Sequence, residues 1–342
     1  MGMKITSEAE GNGGKITISD VAEALGVSKT TVSRAISGKG RIGEETRDRV
    51  MKYIKEHGYK PNVIAKGLAQ SKTYNIGWVI PGNYDLVDLP FFQRCLKGIV
   101  EVAGSEDYDI VLSMVTNRDI SQLERLINNH KVDGVILSRT WADDKSVAYL
   151  KKNHIPFVAI GSSDDAEVIQ VDNDHVNACR EMTALLLDKG LRRIGLIGGS
   201  KDLMVTHMRY EGYRKAFEEK NLPLDDTIIY QDCESVTTIR KAAEELLKKK
   251  AECILCMDDS ICLQVLEALK EKNVSVPADV KIASFYNSTL LSGNNPAITS
   301  LQFDAKEVGK VACKVLLTYL DGEEVEQRTL LGYEVVLKES AK

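Results

Sequence analysis

The chain has 342 residues, 43% of them apolar, which exceeds one ordinary domain and can fill at least two cores. Its net charge of −5 hides a gradient: residues 15–72 hold 12 Lys or Arg against 6 Asp or Glu (+6), residues 73–342 stand at −10, and residues 1–14 at −1. No run of 18 apolar residues and no charged-then-apolar leader occurs, so a helical membrane span is excluded and a cytoplasmic protein is expected, with its basic charge placed where phosphates could be neutralised.

Residues 1–14, with four glycines and mixed charge, read as a disordered tail. Residues 15–60 then give a compact helix-turn-helix, beginning T-I-S-D-V-A-E-A-L-G-V-S-K-T-T-V-S-R-A-I. Val21, Ala22 and Leu25 make one apolar helical face, Gly26 permits a tight turn, and Val27 fills the corner between helices. Ser28 is a good N-cap for a second helix, on which Val32, Ala35 and Ile36 pack inward. Lys29, Thr30, Ser33 and Arg34 are left facing out, and such donors on the first half of a second helix suit the major groove of DNA.

A third helical segment follows, and G-E-E-T-R-D-R-V-M-K-Y-I-K-E-H-G-Y-K-P-N-V-I-A-K-G-L-A runs from Gly43 to Ala69. With the opening motif, its T-R-x-x-V, G-Y-x-P-N and A-x-x-L elements resemble the N-terminal domain of the LacI/GalR (lactose-repressor) family of bacterial transcriptional regulators. The resemblance implies base contacts from Lys29, Thr30 and Arg34, and phosphate contacts from Ser19, Ser28, Thr31, Ser33, Thr46 and Asn62. Residues 61–73 would form a short hinge helix, capped by Asn62 and containing Ala65 and Gly67. Such a helix is marginal alone and would gain order on DNA, where the family inserts an apolar wedge, here Leu68, into the minor groove.

From Tyr74 onward, apolar strands alternate with amphipathic helices, as in βαβ units with a parallel sheet. Strands are expected over 75–80, 110–114, 134–137, 157–160 and 169–171, with helices near 92–104, 120–130 and 144–153. A second set has strands over 194–197, 228–230, 253–256 and 280–285, with helices near 174–189, 206–220, 236–249 and 259–272. The fold class is therefore α/β: a three-helix head, a hinge helix, and a bilobed core of two doubly wound parallel sheets, which the resemblance identifies with the periplasmic-binding-protein type. Lobe 1 would take about 74–172 and 303–331, and lobe 2 about 173–302 and 332–342. The segment Ser300 to Leu320 is expected to cross back and complete the first half.

Ligands of open parallel sheets bind beyond the carboxyl ends of strands, so two facing halves place a site in the cleft between them. Phe91 and Phe92 in L-P-F-F, one of them facing the ligand, and Trp141 in S-R-T-W-A-D-D offer aromatic faces for a sugar ring. The family's effector arginine corresponds to Arg209, whose planar fork holds two vicinal hydroxyls or a carboxylate. His207 would lie in the pocket or on its rim. Asp258 matches a family aspartate, both structural and pocket-lining, and Asp172 with Asn173 match turn and hinge positions. Two departures stand out. After the last strand of the second half the chain has Tyr286 and Asn287 where sugar-responsive members carry a carboxylate, and Cys233 or Glu234 stands where a pocket aromatic is expected.

The seven cysteines are irregularly spaced; Cys253 and Cys256 lie in the apolar run A-E-C-I-L-C-M with no second Cys or His pair nearby, so they read as core rather than zinc ligands. I-G-L-I-G-G-S could be taken for the phosphate loop of an enzyme, but it lacks the G-x-G-x-x-G spacing and the G-K-[ST] ending, which leaves Gly198 and Gly199 as a tight turn. The sequence is therefore read as a non-enzymatic regulator without cofactor or metal. Its expected partners are a near-palindromic double-stranded DNA operator, a small-molecule effector, either a sugar or, given the two departures, a non-sugar corepressor, and a second copy of itself. Some family members also bind a phosphocarrier protein at the first lobe. The chain ends soon after L-L-G-Y-E-V-V-L-K without leucine heptads, favouring a homodimer over a tetramer.

Overall fold

A computed structural model of the chain describes residues 16–38, 40–59, 67, 70–83 and 90–342. The chain divides into two units, Met1–Thr73 and Tyr74–Lys342. The expected tail at 1–14 lies outside the described residues, as do Asn62, Ala65 and Leu68 of the expected hinge helix.

The first unit contains α1 (Ile18–Leu25), α2 (Lys29–Ser37) and α3 (Glu44–His57). Thr17 and Asp20 close a capping box around the first turn of α1, with the Thr17 amide donating to Asp20 Oδ2 at 2.7 Å. Gly26 ends that helix at φ 64°, a left-handed conformation that a side chain would strain although space is open around it. Arg49 on α3 donates to the Leu25 carbonyl at 3.2 Å, satisfying an orphan acceptor at the same helix end. Val21, Ala22, Val32, Ala35, Val50 and Tyr59 form the small core, with Val27 half-buried at its edge.

The second unit opens with β1 (Asn75–Pro81), α4 (Pro90–Ser105), β2 (Asp109–Val115), α5 (Ser121–Asn128), β3 (Gly134–Leu137), α6 (Lys145–Lys152), β4 (Phe157–Ile160) and β5 (Gln170–Asn173). It continues with α7 (His175–Asp188), β6 (Ile194–Ile197), α8 (Met204–Glu219), β7 (Ile229–Tyr230), α9 (Val236–Lys248), β8 (Cys253–Cys256), α10 (Asp259–Glu271), β9 (Lys281–Ser284) and β10 (Thr299–Gln302). Last come α11 (Ala305–Leu320), β11 (Arg328–Leu331) and β12 (Glu334–Val336). One six-stranded sheet has the order β11-β5-β4-β3-β1-β2 and is parallel throughout. The other has the order β12-β10-β9-β8-β6-β7, and its edge strand β12 runs antiparallel to β10.

Ser300 to Leu320 does not cross as one piece. Its start pairs in the second sheet as β10 next to β9, and only α11 packs on the first lobe. Strands β10, β11 and β12 are three or four residues of mixed polarity, too short to show alternation and not continuous apolar runs, so sequence patterning misses all three.

Strands buried on both faces need continuous apolar runs. On β1, Ile76, Trp78 and Ile80 face the core under α4 and α11, while Val79 faces the one under α5 and α6. Helices α4 and α11 meet backbone to backbone: a Cβ on Gly98 would stand 2.0 Å from the Lys306 carbonyl oxygen, and one on Gly309 2.1 Å from that of Cys95. This close seat fixes the first turn of α4, which carries Phe91 and Phe92.

The chain passes between lobes three times, at Asn173–His175, Gln302–Ala305 and Leu331–Glu334. These crossovers are tied together. Asp174 donates its amide to the Leu331 carbonyl at 3.1 Å, and the His175 ring meets Phe303 edge-on at 4.9 Å.

Candidate functional site

The exposed surface of the head is built by the same features that fold it. Ser28 caps α2 by accepting from the Thr31 amide at 3.0 Å, and its hydroxyl lies 2.8 Å from that of Thr31. The cap fixes the first turn, so Ser28, Lys29, Thr30, Ser33 and Arg34 are exposed, whereas Val32 and Ala35 are buried. Ser19, Thr31 and Thr46 are half-buried. The stem of Arg34 runs against Gly40, where an added Cβ would lie 3.3 Å from Arg34 Cδ. The face thus presents an ammonium, a guanidinium and hydroxyls on one short helix whose backbone is fixed at both ends. That inventory matches what reads base edges and grips phosphates.

The cleft of the body lies between the carboxyl ends of the two sheets. In each sheet the chain's direction of winding reverses at the first strand, β1 between β2 and β3, and β6 between β7 and β8. Such reversals leave a crevice for ligands. Phe91, half-buried, sends its ring edge-on to Tyr286 across the lobes, with centroids 5.9 Å apart. Phe92 turns into the lobe-1 core, with the Arg139 guanidinium 5.3 Å above its ring. Phe91 is therefore the residue of the pair that faces the cleft.

On the lobe-2 side, Arg209 is buried, donates through Nη1 to the Met257 carbonyl at 2.6 Å, and lies 6.0 Å from the Tyr286 ring centroid. Burial pushes the Tyr286 hydroxyl's pKa well above its usual value. Asp258 is half-buried and acts as the N-cap of α10, accepting from the Ile261 amide at 2.8 Å. Its neighbour Asp259 is buried, and desolvation, reinforced by the charge of Asp258, pushes its carboxyl pKa up to about 6.

The structure brings together Phe91, Arg209 and Tyr286, and it adds Asp259, which the sequence reading missed. The D-D pair after β8 announces a helix cap, but only the fold shows that the first Asp caps and the second turns inward. Trp141 stands elsewhere, at the mouth where the lobes touch. It bridges to Leu203, flanked by backbone hydrogen bonds from Ala142 to Asp202 at 2.9 Å and from Met204 to Thr140 at 3.2 Å. It also walls a recess of about 410 Å³ that includes Asp144, Lys151 and Ser163. His207 is exposed, with its ring nitrogen Nε2 against the Lys201 carbonyl. Cys233 is buried in the lobe-2 core.

A second polar group lies at the crossovers. Ser162 donates to Asp172 Oδ2 at 2.9 Å, and His175 Nε2 lies 3.4 Å from Asp172 Oδ1. Burial works to raise the Asp172 carboxyl pKa, but His175, Ser162 and the Asn173 amide together hold it below its usual value. All seven cysteines are free and buried, and burial raises the Cys253 thiol to about 12. Among the described residues no cluster of His, Cys, Asp or Glu could hold a metal, and no helix is long and apolar enough to cross a membrane.

Parts of both units resemble known protein families. Residues 17–62 match the model for bacterial regulatory proteins of the lacI family, and residues 183–341 match that for a periplasmic binding protein-like domain. Catabolite control protein A of Priestia megaterium is 30% identical over 335 residues, covering 96% of this chain and 99% of the relative. Among solved structures, a complex of the transcriptional regulator CelR with cellobiose is 27% identical, with a TM-score of 0.72 over 95% of this chain and 99% of that one. The lac repressor dimer bound to operator and the anti-inducer ONPF shares the fold, with a TM-score of 0.78 at 22% identity over 96% of this chain and 99% of that one.

Proposed function

The chain belongs to the LacI family of bacterial regulatory proteins, and on that premise we propose that it is a cytoplasmic, homodimeric repressor whose hold on a near-palindromic operator is set by a sugar bound between its lobes. The observation that carries this reading is the capped α2 with Lys29, Thr30, Ser33 and Arg34 on its exposed side, inside a segment, residues 15–72, of net charge +6. Lys29, Thr30 and Arg34 select bases; Ser19, Ser28, Thr31, Ser33 and Thr46 hold phosphates. Asn62, Ala65 and Leu68 extend the contact, with Leu68 as the wedge. Two copies supply the two-fold symmetry that a palindrome requires. Exposed Val100 on α4 and Leu112 on the outer strand β2 give lobe 1 an apolar edge for a twin.

In the cleft, Phe91 and Tyr286 bound the space for a sugar ring and Arg209 supplies its donor; a cellobiose-bound relative supports the ligand class. A ligand that favours one pose of the lobes shifts the population of that pose, and linkage makes it change operator affinity by the same factor by which operator changes the ligand's affinity. Gel shifts with genomic operator fragments test the reading. A specific complex that weakens steeply with salt is expected, and equal affinity for random DNA would overturn it. Titrating effector into the complex reads the sign: release is induction, tightening is corepression. If small molecules leave the complex unchanged, a phosphocarrier protein is the partner to add next.

A further inference from the structure

The lobes also touch where the chain does not join them. Away from the crossovers, two backbone hydrogen bonds link them among the described residues: the Ala142 amide donates to the Asp202 carbonyl at 2.9 Å, and the Met204 amide to the Thr140 carbonyl at 3.2 Å. They flank the antiparallel bridge of Trp141 to Leu203. Both bonds run between backbone groups, so they form only when two extended segments come into register.

Each half is held ready by its own lobe. In lobe 1 the Trp141 amide donates to Asp144 Oδ2 at 3.1 Å, and the Thr140 hydroxyl to the Ser162 carbonyl at 2.6 Å. In lobe 2 the Lys201 amide donates to Asp232 Oδ1 at 2.9 Å, the Lys201 ammonium meets Asp232 Oδ2 at 2.6 Å, and His207 rests its Nε2 against the Lys201 carbonyl. Leu203 stands at the N-cap of α8 in an extended conformation, φ −93° and ψ 127°, and has no side-chain cap to offer. The first amides of a helix have no partner within it. That of Met204, a residue 2% exposed, finds its acceptor in the other lobe, so parting the lobes strips this partner from the end of the helix that carries Arg209.

Position makes the contact a switch point. The three crossovers lie at the β11–β5 edge of one sheet and the β12–β10 edge of the other, whereas Trp141 follows β3, three strand steps from β11, and Leu203 follows β6, four steps from β12. At about 4.8 Å per step, a small turn about the crossovers moves the bridge residues much further than the crossovers themselves. A backbone hydrogen bond of ordinary net strength shifts an equilibrium roughly 2- to 13-fold, and two together roughly 5- to 150-fold. That is enough to favour one pose of the lobes and too little to forbid another. We propose that residues 140–142 and 202–204 form a backbone latch at the mouth of the cleft: closed, it holds the lobes in one pose, and its release is the step that lets them turn about the crossovers and change operator affinity. The last link rests on the reading of the chain as an operator-binding regulator.

The test joins the facing residues. In this bonding pattern Trp141 and Leu203 are a non-hydrogen-bonded pair, with Cα atoms about 4.5 Å apart and within disulfide reach; the seven native cysteines are buried and do not compete. A full-length Trp141→Cys/Leu203→Cys variant should form an intramolecular disulfide with oxidised glutathione. Its affinity for the genomic operator fragment that the parent binds should differ roughly 5- to 150-fold between the oxidised form and the same sample reduced with dithiothreitol. A pair that stays reduced in a chain that still melts cooperatively, or a disulfide that leaves operator affinity unchanged, would overturn the latch. A second variant needs no DNA. Ala142→Pro removes one donor from an exposed residue, and if the two bonds open together the Met204 amide should exchange with deuterium roughly 2- to 13-fold faster. Unchanged exchange at Met204 would equally overturn the latch. A parent that binds no operator removes the regulator, and the exchange result then decides the latch on its own.

Discussion

Two glycines in one helix should respond to the same substitution with opposite signs. Gly98 and Gly104 both lie in α4. A Cβ on Gly98 would stand 2.0 Å from the Lys306 carbonyl oxygen and 2.9 Å from the Lys310 amide nitrogen, whereas one on Gly104 would meet nothing within 4 Å. Replacing Gly by Ala in a helix favours folding by up to ~1 kcal/mol through backbone entropy. At Gly104 that gain stands alone, and a body of this size should melt about 2–4 °C higher. At Gly98 the obstacle is backbone, which cannot rotate aside as a side chain does, so α4 and α11 must move apart. Overpacking costs about 1–3 kcal/mol, and a contact this short belongs at the top of that range or above it. The net loss is about 2 kcal/mol, or a melting temperature lower by about 4–8 °C. Because the first turn of α4 carries Phe91, Gly98→Ala should also weaken the effector response. Calorimetric melts of the parent and both variants decide the matter, and a neutral or stabilising Gly98→Ala would refute the backbone contact between the helices.

Three further outcomes follow from the head and the cleft. Arg34→Ala should lose ~1–3 kcal/mol of discrimination between operator and random DNA; an unchanged ratio in competition gel shifts would remove Arg34 from base reading. Gly26→Ala should destabilise the head by ~1 kcal/mol, since the turn needs φ 64° there; circular dichroism melts showing no loss would contradict the turn. Asp259 gives the body a defined pH dependence. A carboxyl raised from 3.8 to about 6 binds its proton more tightly in the folded state, so its contribution favours folding at low pH and is lost as pH rises through about 6. The full effect is roughly 3 kcal/mol. Subtracting the pH profile of Asp259→Asn from that of the parent isolates it, and parallel profiles would show that the carboxyl is not perturbed.

Much of the protein was legible in its sequence because the signals are local. The apolar spacing of Val21, Ala22 and Leu25, the Gly26 turn and the Ser28 cap act over a few residues, so the helix-turn-helix is written in neighbours along the chain. Apolar runs such as Cys253–Cys256 likewise read correctly as buried strands, because parallel strands covered on both faces have no polar side. Short strands β10, β11 and β12 were invisible, since three or four residues of mixed polarity leave no period to detect and no continuous apolar run.

The cleft is where sequence and tertiary structure divide the work. Sequence supplied Phe91 and Arg209 as types of residue able to meet a sugar, and it marked Tyr286 as standing where a carboxylate is missing after the last strand. Only the packed sheets decided that Phe92 turns into the core while Phe91 crosses to Tyr286, that Trp141 sits at the mouth, and that Asp259 joins Arg209. The reason is one of range. Caps, turns and periodic faces are fixed by neighbours along the chain, whereas a site at the ends of parallel strands is assembled from residues such as Phe91, Arg209 and Asp259, which meet only after both sheets have set their order and register.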